Sequence, residues 1–327
     1  MESDSVKNNM VSSRTQQRSI MEVAMEGLTD TPKRLPSFLF YDERGDQIFR
    51  KIMTLPEYYL TGCEAEIIQA NKEMLSMLFS DDGEPFDLVE LGAGDATKTE
   101  ILLELMVDKQ IDFTYAPVDI SPHVLQLLRS RLRKTIPSLK IEPVNSRIES
   151  IHEHLHRSRR RVFLYLGANI GNFTFREAKQ FLHHVAAGMM NDDMILIGFD
   201  MKKDPRMILR AYDDQAGVTK EFNLNVLARL NRECGADFNL LNFSHFPSYD
   251  PETGLTKSFL VSNVDQVVTF QQGRRKFHFR KWETIHTEVS LKFDTLMIDE
   301  LAEYAGLELA EYFCDSRGMF CDVFFVK

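Results

Sequence analysis

The stretch from Val89 to Asp95 holds Gly92 and Gly94, one residue apart, after a short apolar run and before an amphipathic stretch carrying Ile101, Leu102, Leu105 and Met106. Glycine reaches backbone conformations closed to other residues, so such a turn lets the chain lie against a flat ligand. Its partner is Asp119, which ends the next apolar run, Phe113 to Asp119. In a strand–turn–helix setting an acid at that place takes ribose hydroxyls. A nicotinamide dinucleotide asks for a third glycine, and Thr97 stands there instead. It also asks for a pyrophosphate at the helix start, where Asp95 sets a like charge against it. An adenosine cofactor without phosphates meets neither objection. S-adenosyl-L-methionine is such a cofactor, and methyl transfer is its chemistry. Taken alone, the turn also fits a plain strand-to-helix connection.

A second chemical pattern lies between Thr284 and Phe293. Alternation puts His286, Glu288, Ser290 and Lys292 on one face and Ile285, Val289, Leu291 and Phe293 on the other. Glu288 and Ser290 then converge on one polar object. Imidazole suits them: its N–H donates to the carboxylate while its other nitrogen accepts from the hydroxyl. An edge strand with an ordinary solvated face is the alternative. Asn172 follows a glycine at the end of an apolar run, and its amide can donate to a substrate carboxylate, as can the Tyr212 hydroxyl. For Tyr212 the alternative is a core tyrosine at a helix end. Tyr58 and Tyr59 are adjacent, point apart, and need not both face a site. His152 to His156 satisfies H-E-x-x-H literally, but it is short, lies between two strands, and runs straight into a basic cluster. We read it as a solvated histidine face and expect no metal.

The elements that hold these residues alternate. Apolar runs at Phe86, Phe113–Asp119, Leu139–Val144, Val162–Leu166 and Met194–Asp200 are separated by helical stretches at Pro122–Lys134 and Thr174–Met189. Such alternation gives an α/β fold whose mostly parallel sheet is covered on both faces, with ligands at the carboxyl ends of its strands. Before it, Ile48, Phe49, Ile52 and Met53 repeat at helical spacing until Pro56, and a second helix fits 61–79. After Asp200 come two helices, 204–212 and 218–234, then short strands near 257–261, 266–270, 276–279 and 284–293. A helix over 296–305 and apolar runs to Val326 return to the sheet.

The 327 residues carry 39 Lys and Arg against 49 Asp and Glu, a formal charge of −10. That balance disfavours nucleic acid and anionic membranes as partners. Four scattered cysteines form neither a disulfide scaffold nor a zinc knuckle and suit a reducing cytoplasm. No signal-type or membrane-spanning apolar run occurs. We therefore expect a cytoplasmic monomer acting on a small molecule.

From about Phe38 to the end, the chain resembles the L-histidine Nα-methyltransferases of ergothioneine biosynthesis. The segments that carry the likeness start at Phe40 (FYDERG), Leu55 (LPEYY), Glu90 (ELGAG), Tyr115 (YAPVDIS), Leu166 (LGANIGNF), Arg210 (RAYDDQAGVT) and Thr287 (TEVSLKF). Fungal dimethylallyltryptophan N-methyltransferases share this fold. The resemblance implies a Rossmann-like class I methyltransferase sheet with a smaller α+β substrate-binding lobe, and S-adenosyl-L-methionine as cofactor. It assigns Gly92, Gly94, Lys98 and Asp119 to the cofactor, with Asn145 and Ser146 at the adenine in place of the usual Asp-Phe. It assigns Tyr58, Asn172, Tyr212 and the Glu288, Val289, Ser290 segment to the amino acid, and places Tyr41 near the reacting amine. Asn169 replaces a threonine of the family's turn. Ser258 stands where a methionine often lies beside the substrate ring.

The expected layout is a lead-in over residues 1–20, helices of the substrate lobe over 21–80, and the cofactor domain over 81–200. The rest of the lobe takes 201–281, and 282–327 returns to the sheet. The active site is expected in the cleft between lobes. Rival functions are methylation of another aromatic amino acid or amine, such as tryptophan, and a catalytically silent cofactor-binding regulator.

Overall fold

The computed structural model describes residues 19–155 and 159–327; the expected lead-in lies outside them up to residue 18, as does His156. The chain opens with α1 (Ile20–Thr29), whose start is set by a capping box between Ser19 and Glu22. Then follow β1 (Lys33–Arg34), α2 (Glu43–Ile52) and α3 (Leu60–Phe79). The alternating region runs β2 (Phe86–Leu91), α4 (Glu100–Asp108), β3 (Phe113–Asp119), α5 (Pro122–Thr135), β4 (Val144–Asn145), β5 (Arg160–Tyr165), α6 (Phe175–Ala187) and β6 (Met194–Asp200). Local signals fix its helix starts: the Ser121 side chain caps α5 ahead of Pro122, and Thr174 with Glu177 forms a second capping box. Next come α7 (Pro205–Tyr212), α8 (Val218–Cys234), β7 (Phe243–Asp250), β8 (Leu255–Ser262), β9 (Gln266–Phe270), β10 (Arg275–Phe279) and β11 (Thr284–Leu291). The chain closes with α9 (Thr295–Ala305), β12 (Glu308–Cys314) and β13 (Phe320–Val326).

Two compact units result. The larger comprises 52–215, 247–257 and 289–327. Its seven-stranded sheet has the order β12-β13-β6-β5-β2-β3-β4, parallel from β6 to β4, with β13 antiparallel between β6 and β12. Every residue of β2 and β5 is buried, as a sheet covered on both faces requires. Alternation splits the core in two: Phe86, Leu88 and Tyr115 pack with α3 and α4, while Val89, Phe163 and Ile197 pack with α6 and α9. Strand order reverses beside β2, which places the end of that strand where α/β sheets bind ligands.

The smaller unit comprises the described part of 1–51 with 216–246 and 258–288. In it α1 packs on α8, β1 pairs in parallel with β11, and β9 and β10 form an antiparallel hairpin. Phe238, Phe243, Phe270 and Phe279 meet edge to face in its core.

Some expectations need correcting. Helix α3, expected in the lobe, belongs to the larger unit because Cys63, Ile67, Ile68, Leu75 and Phe79 bury against the sheet, Phe79 beside Phe324. Helix α7 belongs there too, whereas Thr284 to Glu288 belong to the smaller unit. The strand expected over 139–144 is reduced to a bridge at Ile141 and the two residues of β4, since Pro143 interrupts the ladder. Strand β7 went unread because it is an exposed edge strand containing Pro247. Cys314 and Cys321, which sequence spacing leaves apart, are bonded across the β12–β13 hairpin where their register sets them opposite each other. Cys63 and Cys234 are free and buried. Among the described residues, no helix is long and apolar enough to cross a membrane.

Candidate active site

Gly92 leaves β2 at φ +72°, the left-handed region that favours glycine, and its N–H donates to the Val118 carbonyl at 2.9 Å. A Cβ built on Gly92 or Gly94 would meet nothing within 4 Å, so the turn leaves a cradle open where a flat ligand can approach the backbone. Beneath it Glu90 is buried, accepting from Thr99 at 2.6 Å and from the Tyr115 hydroxyl. Burial raises its pKa to about 7 despite those two bonds. Asp119 ends β3 half-buried; its carboxylate accepts from the Ser121 N–H at 2.8 Å, and burial raises its pKa above the usual carboxylate value. The Asn145 amide donates to the Asp119 carbonyl at 3.0 Å, while the Ser146 hydroxyl donates to the Arg147 carbonyl. The structure thus brings Gly92, Gly94, Asp119 and Asn145 to the ends of neighbouring strands.

Lys98 follows the turn and forms an ion pair with the buried Glu64 of α3. The second oxygen of Glu64 accepts from the Gly167 N–H at 2.6 Å, so one carboxylate ties Lys98 to the loop after β5. Burial lowers the Lys98 pKa, and the buried Asp322 of β13 opposes that shift. That loop continues through a short 3-10 turn, Asn169–Asn172, which leaves Asn172 exposed. Gly171 is required there: a Cβ would lie 2.8 Å from the Leu291 carbonyl.

A buried polar network joins β6, α7 and β11 within the larger unit. The Lys292 ammonium donates to the Tyr212 hydroxyl at 2.9 Å and the Ser290 hydroxyl at 2.8 Å, and pairs with Asp200 at 2.7 Å. Asp200 also accepts from the Tyr59 hydroxyl at 2.9 Å and from Lys203. Burial pushes the Asp200 carboxyl up, but the two lysines outweigh it and hold its pKa below the usual value. Of the adjacent tyrosines, Tyr59 is thereby committed to the core, and Tyr58 is half-buried.

The smaller unit carries Tyr41, 47% exposed, with its ring edge-on to Phe49 and Phe222. Asp42 braces the start of that segment by accepting from the Gly45 N–H at 2.7 Å and the Asn225 amide at 2.8 Å. Glu288 accepts from the Ser258 hydroxyl at 3.0 Å. Val289 is half-buried between half-buried Glu288 and buried Ser290, so the in–out alternation of β11 breaks there. Residues 148–153 make a short 3-10 turn, and His152 does not lie on a solvated face: its ring nitrogens are buried and its ring meets Phe163 edge to face, while His156 lies outside the described residues.

Sequence reasoning missed Glu64, Asp200 and Lys203, and gave Lys292 no role. A buried acid inside a helical or apolar run was the available signal for the first two.

The parallel sheet with its inserted antiparallel strand, the open glycine turn at the reversal of strand order, and Asp119 on the adjoining strand define a Rossmann-like methyltransferase. The residues present suit S-adenosyl-L-methionine: an open cradle, a carboxylate for ribose and a lysine for a carboxylate. Residues 20–327 match the S-adenosylmethionine-dependent, histidine-specific methyltransferases, and the chain belongs to that family. It is 36% identical to a histidine N-alpha-methyltransferase of Mycolicibacterium smegmatis, over 90% of each chain. It is 31% identical to ergothioneine biosynthesis protein 1 of Schizosaccharomyces pombe, covering 82% of this chain and 36% of that longer protein. A 4-dimethylallyltryptophan N-methyltransferase of Aspergillus fumigatus is 26% identical over 94% of this chain and 93% of its own.

Proposed function

We propose that this methyltransferase acts on the α-amino group of L-histidine, through to the trimethylated betaine, as a cytoplasmic monomer. The observation that carries the substrate is the polar face of β11. Ser258 holds the Glu288 carboxylate there, and Ser290 lies two residues on. A carboxylate and a hydroxyl at that spacing match the donor and acceptor nitrogens of a neutral imidazole.

The bound cofactor supplies the methyl group on a sulfonium. Methyl transfer disperses charge, so the protein's task is alignment: a neutral amine lone pair about 3 Å from the methyl carbon. Tyr41 and Tyr58 are assigned to orienting the amine, with no strong base required because a partly desolvated ammonium releases its proton readily. Asn172 and Tyr212 are assigned to the substrate carboxylate. On the cofactor side, Asp119 takes the ribose, Lys98 the methionine carboxylate, and Gly92 and Gly94 the close approach. Asn145 and Ser146 flank the adenine; the Asn145 side chain both donates and accepts, as the usual aspartate does not.

Mass spectrometry of products from S-adenosylmethionine with histidine, and separately with each aromatic amino acid, tests the reading. Successive one-, two- and three-methyl products of histidine are expected. Preference for tryptophan would overturn it. S-adenosylhomocysteine, but not NAD, should raise the melting temperature.

A further inference from the structure

A lysine ammonium has three N–H donors and no acceptor. Lys292 commits all three inside the larger unit, to Tyr212, Ser290 and Asp200. Its side chain is fully buried and that of Asp200 is 1% exposed, so releasing any of these bonds leaves a buried donor unmade. Asp200 is itself fixed by Tyr59 and Lys203. Burial alone would lower the Lys292 pKa, but Asp200 and Tyr212 outweigh it and hold the ammonium charged.

The consequence falls on Ser290. Its oxygen accepts from Lys292 on one of its two lone pairs, so its single proton is directed to another partner, and an N–H approaching the remaining lone pair meets the neighbouring ammonium charge. A serine without that lysine would donate to a ring nitrogen or accept from a ring N–H with no such bias. We infer that Lys292 is a positioning residue for specificity: by placing its ammonium against Ser290 it biases that hydroxyl toward donating, so the site favours a side chain that offers an sp2 acceptor nitrogen. Indole and pyrrole rings carry only an N–H, so they offer the Ser290 proton no ring acceptor and bring their own proton toward the Lys292 ammonium. The inference rests on the reading of histidine as substrate.

The test uses the full chain as Lys292→Met and as Lys292→Met with Asp200→Asn. In the single variant Asp200 keeps Lys203 and Tyr59 as partners, and the double variant removes both charges of the Lys292–Asp200 pair together. The readout is kcat/KM for histidine relative to a pyrrolylalanine in which a ring C–H replaces the acceptor nitrogen. The wild-type enzyme is expected to favour histidine by about tenfold or more, the factor a single hydrogen bond supplies. In either variant that ratio should shrink at least about fivefold, chiefly through KM for histidine, with affinity for S-adenosylhomocysteine kept within about twofold. A purely structural lysine would lower both substrates together and leave the ratio alone. An unchanged ratio in a variant that still binds S-adenosylhomocysteine overturns the inference. So does a wild-type enzyme that takes both amino acids equally well, without recourse to any variant. A wild-type protein that methylates neither, but turns over another amine, overturns the substrate reading itself and this inference with it.

Discussion

Ser258 on β8 donates its hydroxyl to the carboxylate of Glu288 on β11 at 3.0 Å, although thirty residues separate them in the chain. Ser258 is fully buried, and a buried hydroxyl finds a partner or incurs a desolvation cost. Here the partner is Glu288, the acid proposed to meet an imidazole N–H. A methionine at this position would have no proton to give. Ser258 thus ties Glu288 down rather than simply opening room.

Ser258→Ala should therefore raise KM for histidine by about two- to tenfold, the range of a single net hydrogen bond, with little change in melting temperature. Glu288→Ala should cost more, about tenfold or greater in kcat/KM, and should leave S-adenosylhomocysteine binding intact. Steady-state kinetics beside calorimetric cofactor titration separate the two effects. Equal activity of the Glu288→Ala variant on histidine would remove this residue from the site.

The cofactor end makes a different prediction. Asp119 sits at the end of β3 with its carboxylate oriented by the Ser121 N–H. Asp119→Ala should weaken S-adenosylhomocysteine binding by about 1–3 kcal/mol through lost ribose hydrogen bonds. Isothermal titration reads this directly. Undiminished affinity would mean that a different group takes the ribose.

Much of this arrangement was legible in the sequence, for identifiable reasons. Gly92, Asp119 and the strand around Glu288 are each set by short-range pattern: a turn between two periodic runs, an acid at a strand end, an alternation of period two. Helix α8 was readable to its ends because Gly235 terminates it in the left-handed conformation. The Glu64–Lys98 pair and the Asp200 network were not readable. Each joins residues distant in sequence, and a lone acid in an apolar run gives no hint of its partner. Strand β7 and the Cys314–Cys321 bond depend likewise on sheet order and hairpin register, which tertiary packing decides.

Close packing supplies a third test. Gly171 brings the loop that ends at Asn172 against β11, where a Cβ would stand 2.8 Å from the Leu291 carbonyl. That obstacle is backbone, so one of the two segments must shift. Gly171→Ala should cost about 1–3 kcal/mol of stability, as overpacking does. It should also weaken histidine binding more than cofactor binding, since Asn172 and Ser290 adjoin the contact. Chemical denaturation and titration of both ligands would show it; a variant with wild-type stability and affinity would mean the loop has slack.

Glu90 links the glycine turn to the pH dependence of folding. Burial raises its pKa from 4.5 to about 7, outweighing the hydrogen bonds from Thr99 and Tyr115. The folded protein thus keeps this proton to higher pH than the unfolded chain does. Between about pH 4.5 and 7 the unfolded state binds fewer protons, so stability falls as pH rises through that window. Above it both states are ionised and the dependence from this group ends. The full effect is on the order of 3 kcal/mol. Glu90→Gln cannot titrate and keeps a carbonyl that accepts from Thr99 or Tyr115. Relative to wild type it should gain on the order of 1–3 kcal/mol between pH 5 and pH 8, since other titrating groups act alike in both proteins. Urea unfolding at the two pH values measures that difference. Parallel stability curves for the two proteins would show that Glu90 is ionised in the fold throughout, and that the base of the turn is more polar than its burial implies.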